Sequence, residues 1–263
     1  MKMKTNFFKY LKNDRGLGIV EVLIASAISI VILAATTILF TRNQDILDDQ
    51  TDNARVQAKG RLAIDRIEEE LRMAGFGMPP NQGITNIGVA NSISFQSNLN
   101  DIRTTTPPCN PACPGAIANA GETTLTVVNT NGFAAGDLIV IRNPNSTNET
   151  EINTVTGIAG NVLSLGTPLA KTYFYGITTS LVTVNKYNNV TLALAGTTIT
   201  RTVDGATTTM INDVNPANGL VFNYFGAATA ANVIRLGFTV NLLDPLNANA
   251  TVQFATEVSL RNS

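Results

Sequence analysis

The sequence predicts an α+β protein: a long N-terminal membrane-spanning helix, packed by its C-terminal half on an antiparallel β-rich globular head. Three observations predict it. Leu17 to Phe40 is an apolar run with one charged side chain, Glu21. No proline follows until Pro79, and Val56, Gly60, Ala63, Ile67, Leu71 and Ala74 recur at helical spacing. From about Phe76 onward the pattern changes to short alternating runs rich in Val and Thr, separated by Gly, Asn, Asp and Pro.

The 263 residues suffice for one large domain or two small ones. Charged residues make up only 14%, so the surface is polar more than ionic. The net charge of −1 hides an asymmetry, because residues 1–16 hold five basic groups and one acid. Without them 13 basic and 18 acidic side chains remain, a side-chain charge of −5. An acidic body argues against nucleic acid as the main partner.

The absence of His removes the commonest acid/base at neutral pH and the commonest metal ligand. No nucleophile–base, phosphate-loop or dinucleotide signature is present. The sequence therefore offers no catalytic residue, no metal site and no cofactor site, and it reads as a non-enzyme without a small-molecule substrate.

The apolar run exceeds the core of a secretory signal, about 7–15 residues. A plain signal anchor fits its length, since 24 helical residues span roughly 36 Å against about 30 Å of hydrocarbon. That reading leaves Glu21 unexplained. An acid near the start of a membrane helix is costly unless a cation meets it. A new α-amino group, made by cutting after Gly16, is the most economical partner. The basic leader should stay cytoplasmic, which places the rest of the chain on the other side.

The segment Arg15-Gly16-Leu17-Gly18-Ile19-Val20-Glu21 resembles the processing site of type IV pilins and type II secretion pseudopilins. The resemblance implies a prepilin with a class III signal sequence. Prepilin peptidase would remove residues 1–16 by cutting between Gly16 and Leu17, and would N-methylate Leu17. Two departures stand out: Gly18-Ile19-Val20 where the family often has Thr-Leu-Val, and Val22 where many major pilins have Pro. Glu21 is expected to pair with the terminal amine of a neighbouring subunit, because either charge alone is expensive in a medium of low dielectric constant. The alternative is a carboxylate that snorkels to the interface.

One helix is expected over residues 17–75, with 17–40 in the membrane or filament core. Its second half is amphipathic, and a dimeric coiled coil is the competing reading. Gly75, Gly77 and Pro79-Pro80 provide the stop. The stretch Arg61 to Gly77 is similar to the corresponding helix end of PilW-type minor pilins.

Residues 76–263 form the expected head. Strands are predicted at 92–96, 124–128, 138–141, 161–165, 180–187, 191–194, 198–201, 219–224, 233–240 and 250–260. Gly132 to Ile141 resembles a recurring PilW-type element, part of a small β-subdomain inserted at about 120–178. The ending Glu257 to Asn262 resembles that family's final strand.

Cys109 and Cys113, three residues apart among prolines, suggest a disulfide-closed loop in an exported chain, with free thiols as the alternative. Asp45, Asp48, Asp49 and Asp52 fit a solvated helix face, since no calcium loop is present. Val203-Asp204-Gly205 reads as a turn.

The resemblance implies a minor pilin that primes a type IV pilus or joins it. Its partners would be other major and minor pilins, prepilin peptidase, the inner-membrane assembly platform and inner-membrane lipid. It would sit in the inner membrane with a periplasmic head, then at the pilus or cell surface. A pseudopilin or a membrane-tethered adhesive protein is the alternative.

Overall fold

The computed structural model describes residues 18–80, 82–87, 89–108, 116–143, 150–174, 181–225, 233, 235–246 and 250–260. The expectations for Gly16, Leu17, Cys109 and Cys113 lie outside the described residues. The chain divides into two compact units, Met1–Ala54 and Arg55–Ser263. One helix, α1 (Ile19–Arg72), contributes to both.

In the first unit α1 is exposed on all sides, and its Ile, Leu and Val side chains face outward. The helix is long and apolar enough to cross a membrane. Its hydroxyls do not need outside partners. Ser26 Oγ donates to Leu23 O (2.8 Å), Ser29 Oγ to Ala25 O (2.8 Å) and Thr37 Oγ1 to Leu33 O (2.8 Å). Each satisfies itself on its own helix, which makes it cheap to bury in hydrocarbon.

The second unit is antiparallel β laid on the end of α1. Its strands are β1 (Ile84–Asn86), β2 (Ser92–Ser97), β3 (Arg103–Thr105), β4 (Ala116–Ala118), β5 (Thr124–Thr126), β6 (Leu138–Arg142), β7 (Thr150–Ala159) and β8 (Val162–Leu165). There follow β9 (Tyr173–Phe174), β10 (Thr183–Ala195), β11 (Thr198–Val203), β12 (Ala206–Ile211), β13 (Leu220–Tyr224), β14 (Arg235–Leu243) and β15 (Thr251–Ser259). Ten form one sheet, with β1-β2-β10-β6-β7-β8-β5 in order, β3 and β11 also on β10, and β12 on β11. The others form a sheet β13-β14-β15 and a pair β4-β9.

The helix stripe read from the sequence is the buried one. Val56, Ala63, Ile67, Leu71 and Ala74 pack with Ile93, Phe95, Val190, Leu192, Ile199, Phe238 and Val240 in the larger core. Gly60 belongs to the same face, and the ring of Phe254 lies against it. The helix ends at Arg72, three residues before the expected limit at Gly75. Met73 N donates to Glu70 O and Ala74 N to Leu71 O, a tighter turn, and Gly75 follows at φ +77°. Gly75 N then donates to Gln96 O (2.8 Å), tying the helix end to β2.

A second core collects Leu125, Val127, Ile139, Ile141, Val155, Leu163, Tyr173, Val182 and Val184. Strand β10 joins the two. Its first residues pair with β6 and β3, and residues Asn188–Ala193 pair with β2 while Val190–Ala195 pair with β11. This corrects the expectation of separate strands at 180–187 and 191–194. Asn188 and Asn189, which resemble a turn in the sequence, remain extended because their side chains have partners. Asn188 Nδ2 donates to Asp204 Oδ2 (2.6 Å), Asn189 N to Asp204 Oδ1 (2.8 Å), and Gln96 Nε2 to Asn189 Oδ1 (3.1 Å).

Asp204 and Gly205, at φ 47° and 88°, form the two-residue turn between β11 and β12, closed by the pair Val203 and Ala206. Both central residues need positive φ in this turn, which suits Asp-Gly.

The sheet has two chemically distinct faces where β2, β10, β11 and β12 run side by side. Ile93, Phe95, Val190, Leu192 and Ile199 face the core. The alternate residues face outward, and register aligns Ser94 with Thr191, Thr191 with Thr202, and Thr202 with Thr207. Two residues along, Ser92, Ala193 and Thr200 align in the same way.

Candidate functional site

The candidate site is the start of α1. Gly18 O accepts from Glu21 N (2.9 Å) and Val22 N (3.3 Å), which closes the first turn. Glu21 is thus an acid in the first turn, where unpaired N–H groups and the helix dipole favour negative charge. Its side chain is exposed, as are its apolar neighbours Ile19, Val20, Val22, Leu23 and Ile24. No other charged residue occurs between Leu17 and Arg42. A single anion therefore stands in an apolar surface that the other described residues leave exposed.

Further along, Asp45, Asp48 and Asp49 are exposed and Asp52 is half-buried. Among the described residues no group of three or more His, Cys, Asp or Glu side chains is arranged to hold a metal ion.

An ionic cleft lies between α1 and β11 in the second unit. Arg201 Nε lies 2.8 Å from Glu70 Oε1, near enough for an ion pair, although its N–H is not aligned for a hydrogen bond. Arg66 and Glu69 share the cleft, which measures about 520 Å³ on the side of β12. Two guanidinium groups and two carboxylates leave it formally neutral. Sequence reasoning did not connect Glu70 with Arg201, since they lie on α1 and on β11 and only the fold joins them.

Other ion pairs brace the unit. Lys59 Nζ reaches Asp213 Oδ2 (2.6 Å), and Lys186 Nζ reaches Asp137 Oδ1 (2.7 Å). Asp137 Oδ2 also accepts from Ala134 N (2.7 Å), which fixes the Gly132–Asp137 loop before β6. Burial pushes the hydroxyl of Tyr224 up to about 12. Burial raises Tyr187 as well, and the charge of Asp204 adds to it.

No family model matches the chain, and no curated protein matches it. Among solved structures, it is similar to the Gp54 tailspike of Acinetobacter baumannii bacteriophage AP22, solved in complex with A. baumannii capsular saccharide. That similarity has a TM-score of 0.26 and 16% identity, over 36% of this chain. The chain spans 15% of the tailspike's length.

Proposed function

We propose that the chain is a minor pilin subunit of the PilW type, made as a prepilin and carried by its N-terminal helix from the inner membrane into a type IV pilus. Prepilin peptidase cuts between Gly16 and Leu17 and methylates the new terminus. Residues 17–40 hold the subunit in the membrane with the β-rich head in the periplasm, and later in the filament. Glu21 then meets the terminal amine of a neighbouring pilin. Mutual neutralisation sets the axial register, because a helix that slides leaves both charges unpaired in an apolar place. Other pilins and the assembly platform are its partners.

One observation carries the reading. Glu21 is the lone charge in the apolar run Leu17 to Phe40, whose described residues are exposed, and it lies in the first turn of α1, five residues after Gly16. Mass spectrometry of protein extracted from the native membrane tests it. N-methyl-Leu17 at the terminus is the expected result. An intact leader on protein that functions would overturn the reading and leave a membrane-tethered binding protein. Genomic neighbours separate a pilus subunit from a type II secretion pseudopilin.

A further inference from the structure

Asparagine followed by glycine can react with its own main chain. The glycine nitrogen attacks Cγ of the asparagine, ammonia leaves and a cyclic succinimide forms, which water then opens. Glycine favours the step because no Cβ hinders the approach. In a folded chain the step needs an unbonded glycine N–H, an unbonded asparagine amide and a backbone free to bring them together.

The sequence contains this pair twice, at Asn131-Gly132 and at Asn218-Gly219. The fold treats them differently. Gly219 N donates to Asn215 O (2.7 Å), which occupies the nucleophile, and Gly219 O accepts from Asn241 N (3.1 Å). A Cβ built on Gly219 would collide with Asn215 O and with Val214, so this backbone has no room to turn. The next residue, Leu220, is fully buried in β13. Asp204-Gly205 could form the same ring, but its carboxylate is held by Asn188 Nδ2 and Asn189 N.

Asn131-Gly132 has none of these restraints. Both residues are exposed. Asn131 N donates to Asn129 Oδ1 (3.3 Å), and among the described residues neither the side-chain amide of Asn131 nor Gly132 N has a hydrogen-bond partner. The turn that carries them is closed by Phe133 N donating to Thr130 O (3.2 Å). Gly132 lies at φ 82°, which suits glycine at the third position of such a turn.

We propose that Asn131 is a site of spontaneous deamidation in the folded protein, with water as the co-reactant. The bond from Gly132 N to Asn131 Cγ forms, and the Cγ–Nδ2 bond breaks. The proton of Gly132 N leaves with Nδ2 as ammonia. Water then cleaves one of the two ring bonds to Gly132 N, giving its hydroxyl to the carbon and its proton to the nitrogen. Cleavage at Cγ yields aspartate, which only adds a charge. Cleavage at the main-chain carbonyl yields isoaspartate, which routes the chain through Cβ and Cγ and lengthens the turn by one atom. Phe133 closes that turn and is buried in the second core, so the longer chain works against its seat.

The reaction does not depend on filament assembly, which is tested at Leu17 and Glu21. The full chain in detergent is incubated at mildly alkaline pH, once folded and once unfolded in guanidinium chloride. Peptide mapping by mass spectrometry follows deamidation at both Asn-Gly pairs. In the unfolded chain the two should react at similar rates, since neither is then restrained. In the folded chain Asn131 should react at least about fivefold faster than Asn218, because Gly219 N must first give up a hydrogen bond. Asn131→Ser should abolish the first signal and leave the rate at Asn218 unchanged. Equal rates at the two sites in the folded chain would overturn the proposal. So would a folded Asn131 that stays unmodified while the unfolded chain reacts.

Discussion

Gly60 allows a change of sign to be predicted. It sits inside α1, where glycine is less favourable than alanine by about 1 kcal/mol. On helix propensity alone, Gly60→Ala should stabilise. The structure opposes this. A Cβ added at Gly60 would lie 2.5 Å from Cδ2 of Phe254, with Cε2 and Cζ closer still. Carbon atoms rest at about 3.5–4.0 Å, so the ring must retreat by 1 Å or more. Phe254 is fixed in β15 by its pairing with Val240, and only its side chain can yield. Overpacking of this kind costs about 1–3 kcal/mol. The net effect of Gly60→Ala is a destabilisation of about 1 kcal/mol. In a Phe254→Ala background the ring is gone, and the same substitution should stabilise by about 1 kcal/mol. The coupling between the two sites is then about 2 kcal/mol, well outside the scatter of independent positions. Urea denaturation of the detergent-solubilised chain, followed by far-ultraviolet circular dichroism, measures all four corners of the cycle. If Gly60→Ala stabilises both backgrounds equally, Phe254 does not seat on the helix and the packing of β15 on α1 is wrong.

Further outcomes follow from the same contacts. Glu21→Ala should still be cleaved and inserted, yet should be poorly incorporated into filaments; normal incorporation, read by immunoblot of sheared fibres, would remove the pairing role. Ile67→Ala, at a fully buried position on the helix, should cost about 2–4 kcal/mol in urea denaturation. Asp204→Ala loses the bonds to Asn188 and Asn189 and puts a Cβ residue without a polar side chain at φ 47°. It should lower the melting temperature by several degrees, on a cost of about 2 kcal/mol, while Asp204→Asn should cost less. Tyr224 titrates at about 12 in the folded state against 10.0 for an unperturbed tyrosine. The folded state holds the proton to higher pH, so this contribution is complete below pH 10 and is lost as pH rises towards 12. Tyr224→Phe should flatten the alkaline unfolding profile over that window.

The helix and its buried stripe were legible because both rest on local periodicity. Val56, Ala63, Ile67 and Leu71 repeat at a spacing that only a helix places on one face, and all are buried. Strands with clear alternation, such as Ser92–Ser97, were legible for the same reason. Three kinds of strand were not. β7 hides behind Gly157, where a register shift between Val155 and Gly157 breaks the alternation. β12 is an edge strand whose first four residues are exposed on both faces, so burial imposes no alternation on it. β10 passes through Asn188-Asn189, which mark a turn in an isolated peptide but are held extended by Asp204 and Gln96. The alignment of Ser94, Thr191, Thr202 and Thr207 and the pair Glu70 and Arg201 were beyond reach, since strand register and helix-to-sheet contacts are properties of pairing and not of any one segment. Glu21 needed no fold at all: one charge in an apolar run is visible as composition.

The double membership of β10 restricts how this molecule can be taken apart. Its opening residues complete the small core through Val184, and the remainder completes the large one through Val190 and Leu192. A chain from which the small lobe were excised would have to re-enter the parent sheet in the middle of a strand, with no turn to absorb the seam. Grafting that lobe elsewhere would meet the same obstacle in reverse. Mechanical load applied to either lobe passes along one continuous ladder into the other, so the two are expected to yield in a single event.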